Sequence, residues 1–317
     1  MRAMLTMATI LAMSGPVGIL VADKPAATSA PAATSQVSGV NDTYPGLASS
    51  GLIHARLSDL PKGTLLKAGE LTISEKDVAD QIAKAPQPIQ DQLKKNAFFL
   101  LEQIAAQKLL LAEAKRELAE AGKDISGKSD RDVTEDYLKL LTREVTVTEG
   151  EIAQFYDENR DMFGGAGLGR SKPQIAQYLL REKKQQAVRE HVKTLAKRTT
   201  VEVSADWARA QSVLAKDNPV DKVRSSGRPS LVDFGSKGCR PCDMLAPILE
   251  TLKKKHDGKA NVLFVSVQEH QILAARYGVQ SIPVQIFFDK DGKEVFRHVG
   301  FFAQAKIEKK LAEMGVK

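Results

Sequence analysis

The sequence predicts two joined domains: an all-helical amino-terminal domain, then an α/β domain with a mixed sheet covered by helices on both faces. Three observations carry this. Apolar residues recur every three to four positions through most of 65–203. From about Arg228 the pattern changes to short β-rich runs alternating with helical ones. The length, 317 residues at 43% hydrophobic, suffices for two separate cores. Aromatics are only 5%, so those cores must be mainly aliphatic. A net charge of +7 spread along helical stretches reads as solvated helix faces, so no nucleic-acid partner is expected.

Residues 1–22 read as a signal peptide. Arg2 precedes an apolar stretch, Met4–Met13 and Val17–Ala22, interrupted by Gly15 and Pro16. It is too short and broken for a good permanent membrane helix. Cleavage near Ala22 is expected, with an uncleaved anchor as the alternative, and the location is expected to be periplasmic or otherwise extracytoplasmic. Residues 23–64, rich in Ala, Ser, Thr, Pro and Gly in their first half, are expected to be a flexible linker.

Over 65–203, Ser74 with Asp77 three residues on marks one helix start, and Thr148 with Glu151 another. Apolar spacing predicts one long helix over Asp91–Glu120, ended by Gly122, a second over Asp130–Arg143, and a last over Lys172–Lys197. A short strand, Thr200–Val203, follows. Leu71-Thr-Ile-Ser-Glu-Lys-Asp-Val78, the helix holding Leu100–Leu111, Val147–Asn159 and Gln174–Leu180 together resemble the amino-terminal chaperone-like domain of SurA- and PpiC-type peptidyl-prolyl isomerases. Those families insert a parvulin domain before the last helix. Here only Met162–Ser171 lies there, so the resemblance implies a polypeptide-binding cradle without isomerase activity. Residues 204–227 are expected to be a linker carrying a short helix.

In 228–317, Pro229–Phe234 reads as a buried strand, and helical periodicity runs from Cys242 to about His256. Asn261–Val267 reads as a strand, Ile272–Tyr277 as a helix, and Val284–Phe288 with Glu294–Val299 as a hairpin about Asp289–Gly292. Gln304–Met314 closes the domain. Cys239-Arg-Pro-Cys242 falls where the first strand gives way to a helix. A thiol there meets free amides and the positive end of the helix dipole, so its thiolate, the nucleophile of disulfide exchange, is stabilised. Pro241 suits the first helical turn, and Arg240 adds a positive charge. A purely structural bridge between residues three apart would close a tiny loop and add little stability. These are the chain's two cysteines, and the five histidines show no ligand spacing to them, so no metal and no bound cofactor are expected.

Leu231-Val-Asp-Phe234, the Cys-Arg-Pro-Cys run, Met244–Leu249, Tyr277-Gly-Val-Gln-Ser-Ile-Pro283 and the Asp291-Gly-Lys-Glu turn closely resemble thioredoxin in order and spacing. The resemblance implies a thioredoxin fold. It makes Cys239 the attacking thiol, Cys242 the resolving one, and Asp233 the buried carboxylate that exchanges a proton with it. Pro283 matches the cis-proline facing the dithiol, and Arg240, Pro241, Ile282 and Pro283 would contact substrate. The tryptophans usual before the first cysteine are absent, with Gly235 and Gly238 in that loop. Arg240 favours an oxidising pair and Ile282 a reducing one, with a lean towards protein-disulfide reduction. The expected partners are disulfide-containing or unfolded exported proteins and a membrane or periplasmic dithiol/disulfide exchange partner. A chaperone or scaffold whose thioredoxin fold mainly binds is the alternative.

Overall fold

A computed structural model of the protein describes residues 38–49 and 51–317, the side chains of Asp161 and Met162 excepted. The expected signal peptide and the first part of the expected linker lie outside these residues.

Two four-stranded sheets organise the chain, one in each half. The amino-terminal half begins with α1 (Val40–Thr43), β1 (Arg56–Ser58), β2 (Thr64–Ala68) and β3 (Leu71–Ser74). Helices follow: α2 (Glu75–Ala83), α3 (Gln87–Lys95), α4 (Ala97–Glu120), α5 (Asp130–Leu141), α6 (Glu149–Glu158) and α7 (Leu168–Arg198). Strand β4 (Val201–Ser204) then returns to the first sheet, parallel to β1 and antiparallel to β2, in the order β1-β4-β2-β3. The all-helical expectation is therefore corrected. The region is helix-rich but built on a small mixed sheet, whose strands are too short for their alternation to stand out in the sequence.

The starts of α2 and α6 carry the two capping boxes, Ser74–Asp77 and Thr148–Glu151. The single helix expected over Asp91–Glu120 is two helices, broken at Asn96. That residue leaves helical geometry (φ −120°, ψ 34°) and turns its side-chain amide back to donate to the Gln92 carbonyl at 2.9 Å.

The linker expected over 23–64 is corrected for 38–64. Val40, Leu47, Leu52 and Ala55 are buried in the amino-terminal core, where Leu66, Ile73, Phe98 and Leu101 also pack. The buried Glu102 carboxylate accepts from the Ser49 amide (2.9 Å), the Ser49 hydroxyl (2.7 Å) and the Leu52 amide (3.3 Å). A buried carboxylate so satisfied fixes the segment it binds. An outer cluster of Leu110, Ala114, Val133, Tyr137 and Val192 holds α4, α5 and α7 together as an arm.

Residues 204–227 are likewise no linker. Helix α8 (Ala205–Leu214) buries Ala208 in the amino-terminal core, where Trp207 stacks on Phe98 at 5.8 Å. Helix α9 (Pro219–Arg224), capped by Asn218, buries Val220 in the second half's core.

That half contains β5 (Ser230–Gly235), α10 (Arg240–Lys255), β6 (Asn261–Ser266), α11 (Gln271–Arg276), β7 (Val284–Phe288), β8 (Glu294–Val299) and α12 (Gln304–Glu313). The sheet order is β6-β5-β7-β8, with β5 and β6 parallel and the other pairs antiparallel. Strand alternation sends Leu231 and Phe287 to the face covered by α10 and α12, and Val232, Phe234, Ile286 and Phe288 to the face covered by α9 and α11.

The halves share one buried polar joint. Arg276, on α11, is 6% exposed and donates to the carbonyls of Ala215 (2.8 Å) and Gly46 (2.8 Å) and to Asp221 Oδ2 (3.0 Å). Gln92, on α3, donates to the Glu269 carbonyl (2.9 Å) and accepts from the Ile272 amide (3.1 Å), satisfying a free donor at the start of α11. Removing one partner of a buried ionic network costs about 3 kcal/mol or more. Arg276→Ala is accordingly expected to lower stability by that order. Urea unfolding of the variant should show the Trp207 fluorescence transition, which reports the amino-terminal core, parting from the circular-dichroism transition. Coincident, unshifted transitions would remove the joint from this role.

Candidate functional site: a dithiol at a helix start

Strand β5 ends at Gly235, and four residues later Cys239 forms the N-cap of α10 (φ −93°, ψ 108°), with Pro241 in the first turn. Cys239 is half-buried, Arg240 exposed and Cys242 buried. The two sulfurs are joined in a disulfide, with their Cα atoms 5.2 Å apart. The first-turn amides of α10 are turned towards this bridge, the geometry that stabilises a thiolate once it is reduced.

Opposite lies the Ile282–Pro283 peptide, which is cis. The Ile282 carbonyl oxygen is 4.0 Å from Cys239 Sγ. Beneath, Asp233 is wholly buried on the strand face that meets α10. Gly235, two residues along the same face, leaves a gap. A Cβ there would lie 3.4 Å from Asp233 Oδ2, 3.4 Å from Cys242 Cβ and 3.0 Å from the Phe264 ring. A side chain there would touch the carboxylate and the thiol helix at ordinary contact distance and would press on the Phe264 ring, so glycine leaves the ring in place without adjustment.

Burial pushes the Asp233 carboxyl up to about 6, against an opposing pull from the Gln285 side-chain amide, which donates to Oδ1 at 2.7 Å. The structure thus brings Cys239, Cys242, Asp233, Ile282 and Pro283 into one site, with Arg240 and Pro241 on its rim.

Three features of the site escaped the sequence reading. Gln285 is the one polar residue in the apolar run Val284–Phe288, and strand register sets it opposite Asp233. That lone polar position was the available signal. Phe264 pairs across β6 with Asp233 and stays 47% exposed beside Gly235. The third is the α6–α7 hairpin. A Cβ on Gly164, at its tip, would sit 3.7 Å from Arg240 Nη2, and the Tyr178 side chain on α7 lies beside that of Ser281, next to the cis peptide. No spacing rule signals contacts between residues so far apart in sequence. Among the described residues no cluster of three or more His, Cys, Asp or Glu could hold a metal ion, and no helix is long and apolar enough to cross a membrane.

A redox-active pair at the start of a helix on a four-stranded mixed sheet, facing a cis-proline, defines a thiol-disulfide oxidoreductase. A sequence model of the thioredoxin-like domain matches residues 217–315. Over 89 residues, 28% of this chain, it is 46% identical to thioredoxin of Staphylococcus epidermidis and 50% identical to thioredoxin of Staphylococcus saprophyticus, covering 84% of each. A crystal structure of chloroplastic thioredoxin z is 27% identical over 30% of this chain and 85% of its own, with a TM-score of 0.28. The chain belongs to the thioredoxin family through its carboxy-terminal domain. The match begins at 217, so the boundary expected at 228 moves forward to take in α9, whose Val220 is buried in this core.

The folded Asp233 carboxyl keeps its proton to about pH 6, whereas in the unfolded chain it is lost near 3.8. Its burial therefore leaves stability intact below about pH 4 and lowers it progressively as the pH rises to 6. Asp233→Asn is expected to stabilise the protein by up to about 3 kcal/mol at pH 8 and by little at about pH 4. Urea unfolding of wild type and variant at the two pH values measures this, and an equal effect at both would contradict it.

Proposed function

We propose that the protein is an exported thiol-disulfide oxidoreductase that reduces disulfides of exported polypeptides, its helical arm holding the polypeptide beside the dithiol. The observation that carries this reading is the α6–α7 hairpin set against both Arg240 and the Ser281–Pro283 loop, so that the helix-rich half borders the bond it would serve. Phe155 and Tyr178 (5.3 Å between centroids) and Tyr156 and Phe163 (5.1 Å) give the hairpin half-buried aromatic pairs whose open edges would meet apolar segments of an unfolded chain.

In the proposed cycle the Cys239 thiolate attacks one sulfur of a substrate disulfide. A Cys239–substrate bond forms, the substrate S–S bond breaks, and the departing thiolate takes a proton from water. Cys242 then gives its proton to the Asp233 carboxylate and attacks Cys239 Sγ. The second substrate sulfur leaves as a thiolate, and two electrons have passed from the dithiol to the substrate. The product is the Cys239–Cys242 disulfide. A membrane or extracytoplasmic dithiol partner would return the two electrons. Ile282, Pro283, Arg240 and Pro241 would line the path of the substrate strand.

Cys242→Ser is expected to accumulate substrate mixed disulfides on Cys239, and Cys239→Ser to abolish turnover of a model protein disulfide with dithiothreitol as electron source. Wild-type turnover in Cys239→Ser would overturn the enzymatic reading in favour of a binding module. The cysteine-free full-length variant should still slow aggregation of a denatured client, and no slowing at molar excess would overturn the holding role. Cell fractionation tests export, which a cytoplasmic location would overturn.

A further inference from the structure

We propose that Gln285 is a positioning residue for the exchange reaction, holding Asp233 Oδ1 so that Oδ2 is presented to Cys242. The inference rests on the reading of Asp233 as the proton acceptor and adds what aims it.

Both side chains are fully buried and face each other across the β5–β7 pair. The Gln285 amide donates to Oδ1 at 2.7 Å, and Oδ2 has no partner. That free oxygen and Cys242 Cβ both border the space left by Gly235, each 3.4 Å from where a Cβ would be. One carboxylate oxygen is thus tied back and the other left on the thiol side.

The groups facing the carboxyl are Gln285 from β7, Phe264 from β6 and Cys242 from α10, none of them a charged side chain. A neutral donor suits a group that must take up a proton and give it back. An ammonium in the same place would hold the carboxyl ionised. No donor at all would leave less of it ionised near neutral pH, and so less of it able to accept.

The test uses the full-length chain. The rate of mixed-disulfide resolution is followed from pH 5 to 9 in wild type, Gln285→Leu and Gln285→Met, with a carbon-13 carboxyl titration of Asp233 in each. Loss of a hydrogen bond to a charged acceptor should move the Asp233 titration upward by about one pH unit or more. Resolution should then slow by about fivefold near pH 6 and recover above about pH 8. Gln285→Met keeps the side-chain length if leucine perturbs folding, and should behave alike. In an Asp233→Asn background, Gln285→Leu should slow resolution no further.

Superimposable titrations and pH profiles in wild type and variants would overturn the proposal. So would an equal slowing in the Asp233→Asn background, which would make the effect one of packing. A wild-type resolution profile in Asp233→Asn alone would instead overturn the proton route through Asp233, whatever the titration of the Gln285 variants shows.

Discussion

The arrangement of the two halves depends on a guanidinium buried where they meet. Arg276 binds carbonyls from the segment before the first sheet and from the end of α8, and pairs with Asp221 at the start of the thioredoxin-like domain. Asp221 in turn accepts from Arg224 and from the Tyr277 hydroxyl. Planar, multi-donor geometry lets one side chain satisfy several acceptors at once, which a lysine could not match. The same surface carries apolar burial, since Ile272 of α11 packs within the amino-terminal core. The α6–α7 hairpin gives the halves a second meeting place, with Gly164 beside Arg240.

At the dithiol, two opposed electrostatic conditions are met within one turn of helix. The exposed end of α10 favours negative charge on Cys239, while the closed space beneath it disfavours charge on Asp233. They are kept apart by the strand-to-helix step of the backbone, which sends the first cysteine to the surface and the second inward. Glycine at 235 draws the two environments close together, and Phe264 covers the opening beside it.

The carboxy-terminal fold was legible in the sequence almost element by element, because its strands are continuous apolar runs and its turns carry their own residue types. Strand Glu294–Val299 has the bounds expected of it, and Cys239 and Cys242 stand at the helix start that their spacing implied. The amino-terminal half was legible as helices and one strand, Thr200–Val203, which the structure places at Val201–Ser204. Its strands have three to five residues, and β1 finds its partner 146 positions later at Glu202–Ser204. Asn96 read as an ordinary helical residue because its break depends on a local amide turn and on Arg276, far away in sequence. Residues 38–64 read as linker because Gly, Pro, Ser and Thr interrupt the apolar residues and leave no helical or strand period. The buried acceptor that orders them, Glu102, belongs to another element. At the site, spacing pointed to the sulfurs and the thioredoxin resemblance to the acid, and strand register was needed to reveal Gln285.

The pairing of β1 with β4 governs the order in which the chain can mature. Every residue of the arm must be synthesised before β4 exists, so Arg56–Ser58 waits for its parallel partner while the whole arm is made. The thioredoxin-like domain, made last and rich in near-neighbour pairings, can close promptly once it emerges. The early half therefore carries the longer-range strand closure of the two, which contact-order arguments make the slower one to form.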